Sequence, residues 1–303
     1  MPLTTHPDYP AIKQLAASLY KTEGERGGVA VLVGAGFSRA AALVSEEIPK
    51  PPLWHHLAID MQNALGGGAS DDPLQLAEEY KAYFGLNSLK ELISAKVIDA
   101  AYEPGPLYEE LLTLPWADLL TTNWDTLLER AAAKVHSPVY SVVLQQSDLA
   151  TNPPPRIAKL HGTINITEQL VFTQEDYRTY PVQHAAFVNF ARQVFIENEL
   201  CLIGFSGSDP NFLAWVGWIR DNLSQHAKRI YLVGNLALSA AKRKYFESIN
   251  IVPIDLHSAV KQFDVEAQHE KATELFLAKL KALVPAKPWE WKPQQIEHKL
   301  PVI

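Results

Sequence analysis

Along the chain, short and mostly apolar runs alternate with longer segments in which apolar residues recur every three or four positions. A strand-length run with no polar face is covered on both sides, the mark of a parallel sheet flanked by helices. Seven runs predict strands: Val29–Val33, Leu119–Thr122, Val139–Leu144, Ile157–Leu160, Leu200–Gly204, Ile230–Val233 and Ile251–Ile254. Residues 43–115 carry helical spacing and no strand; Leu76, Tyr80, Tyr83 and Phe84 form one stripe, and Leu89, Leu92, Ile93 and Val97 another. They predict a helical subdomain inserted after the first βα unit, with turn signals at Pro51-Pro52 and Gly66-Gly67-Gly68. Residues 265–284 read as a closing helix with Leu275, Phe276, Leu280 and Leu283 on its apolar face. The expected fold class is therefore α/β, a Rossmann-like parallel sheet with helices on both faces and an inserted helical subdomain. The main domain is expected over 1–285. Residues 286–303, with their prolines and Trp289 and Trp291, read as a linker or docking tail.

Composition narrows the class. With 303 residues, 47 % apolar and 20 % charged, the chain has the makings of a sizeable core, which excludes disorder and fibrous repeats. A net charge of −7 offers no basic footprint for nucleic acid, and the densest basic run, Lys242-Arg243-Lys244, reads as a solvated helix face. Cys201 is the sole cysteine, so one chain cannot build a disulfide or a Cys-x-x-Cys zinc site. The opening MPLTTHPDYP lacks a signal-peptide pattern, and no apolar run has membrane-spanning length. The expectation is a cytoplasmic protein with no membrane contact and no metal.

The candidate chemistry sits at strand ends, where ligands bind in open parallel sheets. After the first strand, Gly34-Ala35-Gly36-Phe37-Ser38-Arg39 is a glycine turn opening a helix, suited to a phosphate, with Ser38 as an added hydroxyl donor. A tight structural turn explains the same residues. The dinucleotide fingerprint is broken by Arg39 at its third glycine, and no Gly-Lys-Ser or Gly-Lys-Thr completes a P-loop. The next ends are Thr121-Thr122-Asn123-Trp124-Asp125, Lys159-Leu160-His161-Gly162 and Gly204-Phe205-Ser206-Gly207-Ser208-Asp209. Asn123 or Asp125 caps the following helix while the other meets the ligand. His161 is a turn histidine or a general base. Gly204–Ser208 falls short of a nucleophile elbow because position 208 is serine.

In that order, Gly34-Ala35-Gly36-Phe37-Ser38, Thr122-Asn123-Trp124-Asp125, His161-Gly162 and Gly204-Phe205-Ser206 resemble the motifs of the sirtuins. The resemblance implies that Gly34, Ala35, Gly36 and Ser38 bind the NAD diphosphate. It places Asn123 beside the nicotinamide ribose and Asp125 near the nicotinamide amide, with Thr122 where sirtuins carry Gln. His161 matches the catalytic histidine, Gly204 and Ser206 match a turn contacting NAD, and Asn235 matches an adenosine-ribose contact. The four zinc cysteines and the Gly-Ile-Pro-Asp-Phe-Arg segment of protein deacylases are absent from the sequence. The pattern is instead similar to the zinc-free, sirtuin-like NAD hydrolases of bacterial antiphage defence.

That resemblance implies cleavage of the nicotinamide–ribose bond of NAD, a substrate rather than a resident cofactor, to nicotinamide and ADP-ribose. Asn123 would orient water or a ribose hydroxyl and His161 would act as base. It also implies a homo-oligomer, or a sensor domain or partner protein that controls a toxic activity. Two other readings stay open: an NAD or ADP-ribose sensor that drives assembly without turnover, and an NAD-dependent protein deacylase.

Overall fold

In the computed structural model, which describes residues 3–21, 28–207 and 209–285, all seven apolar runs become strands of one sheet. Helix α1 (Tyr9–Leu19) precedes β1 (Val29–Val33), and the short α2 (Ala35–Ser38) follows it directly. A two-residue strand, β2 (Ala42–Leu43), leads to α3 (Trp54–Leu65), α4 (Pro73–Phe84) and α5 (Leu86–Lys96). The chain returns through β3 (Tyr102–Glu103) and α6 (Pro106–Leu112) to β4 (Leu119–Thr121). After α7 (Leu127–Ala132) come β5 (Ser141–Val143), β6 (Arg156–Lys159), α8 (Gln174–Gln183), α9 (Ala185–Glu197) and β7 (Glu199–Ile203). The last third runs through α10 (Pro210–Leu223), β8 (Ile230–Gly234), α11 (Ala240–Ser248) and β9 (Ile251–Asp255) to α12 (His257–Val260) and α13 (Val265–Ala282).

The sheet order is β5-β6-β4-β1-β7-β8-β9, and every neighbouring pair is parallel. From β1 the chain builds outward on one side, then crosses back so that β7 lies against the other edge of β1. In register, Val33 stands level with Thr121 of β4 and Ile203 of β7. The loops leaving these three strands therefore emerge side by side, at the crevice where such sheets take ligands.

Alternation along β1 sorts the core into two layers. Val29, Val31 and Val33 pack with buried residues of α1, α6, α7 and α13; Ala30 and Leu32 pack with those of α9 and α10. On α13 the buried face holds Phe276, Leu277 and Leu280 at no measurable exposure. A third cluster joins α3, α4 and α5 to Trp124, Ile164 and Phe172 beside the strand ends.

Three expectations shift. Residues 43–115 contain β3, which pairs antiparallel with β2 through Ala42–Glu103 and Leu43–Tyr102. Two-residue strands leave no apolar run to read in a sequence. In the α4 stripe, Leu76 and Tyr80 are buried, but Tyr83 and Phe84, in the last turn of the helix, are 77 % and 40 % exposed. The Lys242–Lys244 run is not wholly solvated: Arg243 makes a bidentate ion pair with Asp8, and Lys242 lies over the Phe246 ring. Residues 286–303 and Ser208 lie outside the described residues.

The crevice is closed underneath by backbone contact. Gly36 N–H donates to Gly204 O at 2.8 Å, and Gly34 N–H to Ile203 O at 3.0 Å. A Cβ at position 34 would stand 2.5 Å from Gly204 O, and one at position 36 would stand 2.8 Å from it. Gly204 itself has φ +63°, and its Cβ would fall 2.2 Å from Phe37 N. Backbone cannot yield as a flexible side chain can. Gly204→Ala is therefore expected to lose about 3 kcal/mol or more in chemical denaturation. Gly67→Ala, whose Cβ meets nothing within 4 Å, should stay within about 0.5 kcal/mol of the parent.

Candidate active site

The strand-end loops line one cavity of about 890 Å³. Gly34, Ala35, Gly36, Ser38, Thr122, Asn123, Asp125, His161, Gly204, Ser206 and Asn235 all face it. Residues that are up to 201 positions apart in sequence thus meet because β1, β4, β6, β7 and β8 end at the same sheet edge. The far wall is apolar and comes from the β2–β4 connection, including Pro52, Leu53, Trp54, Leu57 and Val97. Trp54 meets Trp124 edge-on at 5.7 Å.

On the β1–β4 side, three polar side chains form one buried cluster. Ser38 Oγ donates to Asp125 Oδ2 at 2.6 Å and accepts from Asn123 Nδ2 at 3.0 Å. The single hydroxyl proton of Ser38 is thus committed to Asp125 and is not the phosphate donor that the glycine turn suggested. Asp125 takes the capping job expected of one residue of this loop. Its other oxygen, Oδ1, accepts from Leu127 N at 3.2 Å at the start of α7, while Oδ2 holds Ser38. Asn123 is free of capping duty. Its Oδ1 is buried without a hydrogen-bond partner among the described residues, as is Trp124 Nε1. Such groups are costly unless a ligand or water meets them.

Beneath this loop lies a buried ammonium that sequence reasoning did not place. Lys159, fully buried at the end of β6, donates from Nζ to the Asp125 carbonyl and lies 3.2 Å from Glu129 Oε1 on α7. Burial raises the Glu129 carboxyl above its ordinary range, against the lowering effect of Lys159. The pair pins the 122–126 loop from below. Its only sequence signal is a lysine inside an otherwise apolar strand.

Across the cavity, His161 is 3 % exposed. Its Nε2 lies 3.2 Å from Asn211 Nδ2 and its Nδ1 lies 3.5 Å from Tyr177 Oη, which donates to Asp209 Oδ2 at 2.9 Å. Burial lowers the His161 pKa, with the nearby Asp209 carboxylate opposing it, so the ring is neutral near pH 7. Tyr177, Asp209 and Asn211 are the residues that motif reading missed; Asp209 follows the glycine turn directly, but Tyr177 lies on another helix with no local cue.

Asn235 faces the cavity with part of its amide already engaged. Its Oδ1 accepts from His257 Nδ1 at 2.8 Å and its Nδ2 donates to Gln268 Oε1 at 3.0 Å, leaving one N–H for a ligand. The adjoining loop is tied down by Asp255, which accepts from the backbone of Leu236, Ala237 and Leu238. Those bonds, with His257 N, hold the Asp255 pKa below its ordinary value although burial works the other way.

Comparison with known proteins now bears on this arrangement. Residues 117–254 match the SIR2-like domain family. The match runs from β4 to β9 and takes in every site residue from Thr122 to Asn235; the glycine turn after β1 lies outside it, and only the fold joins that turn to the others. The chain is 28 % identical over 215 residues to the NAD(+) hydrolase ThsA of Acinetobacter baumannii, covering 70 % of this chain and 43 % of that protein. It is 23 % identical over 210 residues to Defense-associated sirtuin 2 of Bacillus subtilis, covering 66 % of this chain and 20 % of that protein. A solved Sir2 enzyme structure aligns with 12 % identity and a TM-score of 0.46, over 91 % of this chain and 97 % of that one. The chain spans less than half the length of these two curated relatives. Among the described residues no group of His, Cys, Asp or Glu is placed to hold a metal ion, and Cys201 is buried in β7 with its thiol pKa pushed up. No helix among them is long and apolar enough to cross a membrane.

Two outcomes follow from this geometry. Ser38→Ala leaves Asp125 Oδ2 and Asn123 Nδ2 without their shared partner, so it should cost about 1–3 kcal/mol in denaturant unfolding. His161 has a folded-state pKa below the ordinary 6.5, so the unfolded chain binds the extra proton first and stability is lost as pH falls through that range. His161→Gln removes that contribution, and the fall in melting temperature between pH 8 and pH 5 should be smaller than in the parent.

Proposed function

We propose that this chain binds NAD in the strand-end cavity and hydrolyses its nicotinamide–ribose bond, releasing nicotinamide and ADP-ribose as the effector step of an antiphage defence system. The observation that carries the reading is the meeting of all eleven strand-end residues on one cavity, with the Ser38–Asn123–Asp125 cluster on one side and neutral His161 on the other. The names of the relatives support the same chemistry.

The leaving group is a good one, since the pyridinium becomes neutral nicotinamide as the bond breaks. The site has to hold the ribose, stabilise oxocarbenium character and deliver water. In this reading the turn at Gly34, Ala35 and Gly36 takes the diphosphate, and Ser38 positions Asp125 and Asn123. Asp125 and Thr122 face the nicotinamide end, while Gly204, Ser206 and Asn235 face the adenosine end. Asn123 Oδ1, unpartnered and buried, accepts from the water or a ribose hydroxyl. His161 takes the proton that water gives up, and solvent later receives it.

The same reading treats residues 43–115 as a helical subdomain whose apolar wall shields the reacting carbon. It puts the protein in the cytoplasm with NAD, under the control of a homo-oligomer, a sensor domain or a partner protein. The long stretches of the relatives that this chain does not cover support a controller outside it.

Incubation of pure protein with NAD at several protein concentrations, with nicotinamide and ADP-ribose followed by chromatography, tests the proposal. His161→Ala and Asn123→Ala should each cut release by about 10²-fold or more while leaving NAD binding by calorimetry within about threefold. Binding with no release from any preparation overturns hydrolysis in favour of a sensor. Release that requires an acetylated peptide overturns it in favour of deacylation.

A further inference from the structure

His161 is flanked by groups that the reaction above leaves without a role. Tyr177 Oη stands between Asp209 Oδ2 at 2.9 Å and His161 Nδ1 at 3.5 Å, while Asn211 Nδ2 meets the opposite ring nitrogen, Nε2, at 3.2 Å. Tyr177, His161 and Asn211 are 9, 3 and 5 % exposed, so water does not compete freely for these contacts.

Proton count gives these bonds one consistent direction. A phenol has one proton, and beside a carboxylate at 2.9 Å it goes to Asp209. Tyr177 Oη then has only lone pairs to offer Nδ1, so the 3.5 Å contact is a hydrogen bond when Nδ1 carries the ring proton. A neutral imidazole has one N–H, so Nε2 is bare, and it can accept from Asn211 Nδ2. Asn211, His161, Tyr177 and Asp209 form a chain in which each group donates to the next.

We infer that Asp209, acting through Tyr177, and Asn211 are positioning residues that hold His161 as the Nδ1–H tautomer, making Nε2 the atom that takes the proton. This deepens the NAD-hydrolase reading and rests on it for the identity of the proton donor; the tautomer rests on the hydrogen bonds alone. In the step itself, the O–H bond of the attacking water breaks, its electron pair stays on oxygen to form the bond to the anomeric carbon, and the new N–H bond forms at Nε2. Asn211 gives up its contact as this happens. The positive charge then spreads to Nδ1–H, aimed along Tyr177 toward the Asp209 carboxylate.

The groups facing the ring come from the β7–α10 loop and from α8. Asp209 from the β7–α10 loop and Asp176 of α8 favour the protonated ring, while His184 at the end of α8 and burial oppose it. The Tyr180 ring packs edge-on at 5.7 Å. Asp209 is the carboxylate joined to His161 through a hydrogen-bonded hydroxyl.

The decisive measurement is the tautomer of His161 at neutral pH, read from long-range ¹H–¹⁵N spectra of the ¹⁵N-histidine-labelled full chain and assigned with His161→Gln. The parent should show Nδ1–H. Tyr177→Phe should shift His161 toward Nε2–H. Asp209→Asn, in which asparagine can still cap α10 through Phe212 N, should lower the ring's titration midpoint by about one pH unit. With NAD, the acidic limb of kcat should move down in step and kcat should fall about tenfold or more, with KM held within about twofold. An Nε2–H parent, or a tautomer and midpoint unchanged in both variants, overturns the assignment even if activity falls. If the tautomer shifts as expected and the parent releases no nicotinamide, the positioning role stands and the hydrolase reading fails.

Discussion

The contact between two backbone turns, Gly34–Gly36 after β1 and Gly204 after β7, is what the cavity floor depends on. It exists because β1 is the strand from which the chain builds in one direction and then returns, so that β4 and β7 flank it. Parallel strands at the usual spacing bring their exit loops into each other's way, and here the conflict is resolved by removing side chains from both turns. The glycines are thus steric necessities whatever the cavity holds. Their consequence is chemical all the same: with the 34–36 turn locked to Gly204 O, α2 starts at a fixed place and Ser38 Oγ lands 2.6 Å from Asp125 Oδ2.

From that point the site is held by buried polar bonds rather than by shape. Ser38 joins the β1 loop to the β4 loop, and Lys159 joins the β6 strand to the β4 loop from beneath. Thr126 adds a tie from outside the sheet, bonding through its N–H and hydroxyl to the Asp99 carboxylate at 2.8 and 2.6 Å. The 122–126 loop is therefore held by three elements at once. Little conformational freedom remains to be lost when a ligand arrives, the condition under which fixed dipoles act most strongly.

Much of this was legible in the sequence, for a physical reason. Parallel strands buried on both faces must be apolar throughout, and β1, β7 and β8 announce themselves as such. Cavity-lining residues follow directly on strand ends, so Asn123, His161 and Ser206 stand beside the runs that reveal them. What could not be read depends on contacts across the sheet. Tyr177 reaches His161 from α8, and Lys159 looks like an intruder in a strand until Glu129 and the Asp125 carbonyl are seen around it. Ser38 was rightly placed at the cavity, but its proton goes to a residue 87 positions away, which no local pattern records. Tyr83 fits the apolar spacing of α4 and still faces outward, because spacing gives the face of a helix but not where its packing ends.

The two polar groups that face each other across the cavity belong to different layers of the core. Phe37 and Leu127, beside Ser38 and Asp125, pack in the layer of α1, α6 and α13. Tyr177 and Tyr180, beside His161, pack in the layer of α9 and α10. Asn123 and His161 follow the paired strands β4 and β6, and Ile164 N–H donates to Trp124 O at 2.8 Å between their loops, so the gap between the two side chains is set by the β4–β6 register. A ligand that bridges them meets a distance fixed by two neighbouring strands, and a displacement of either layer is felt as a misplacement of one partner against the other. Close packing transmits such shifts rather than absorbing them.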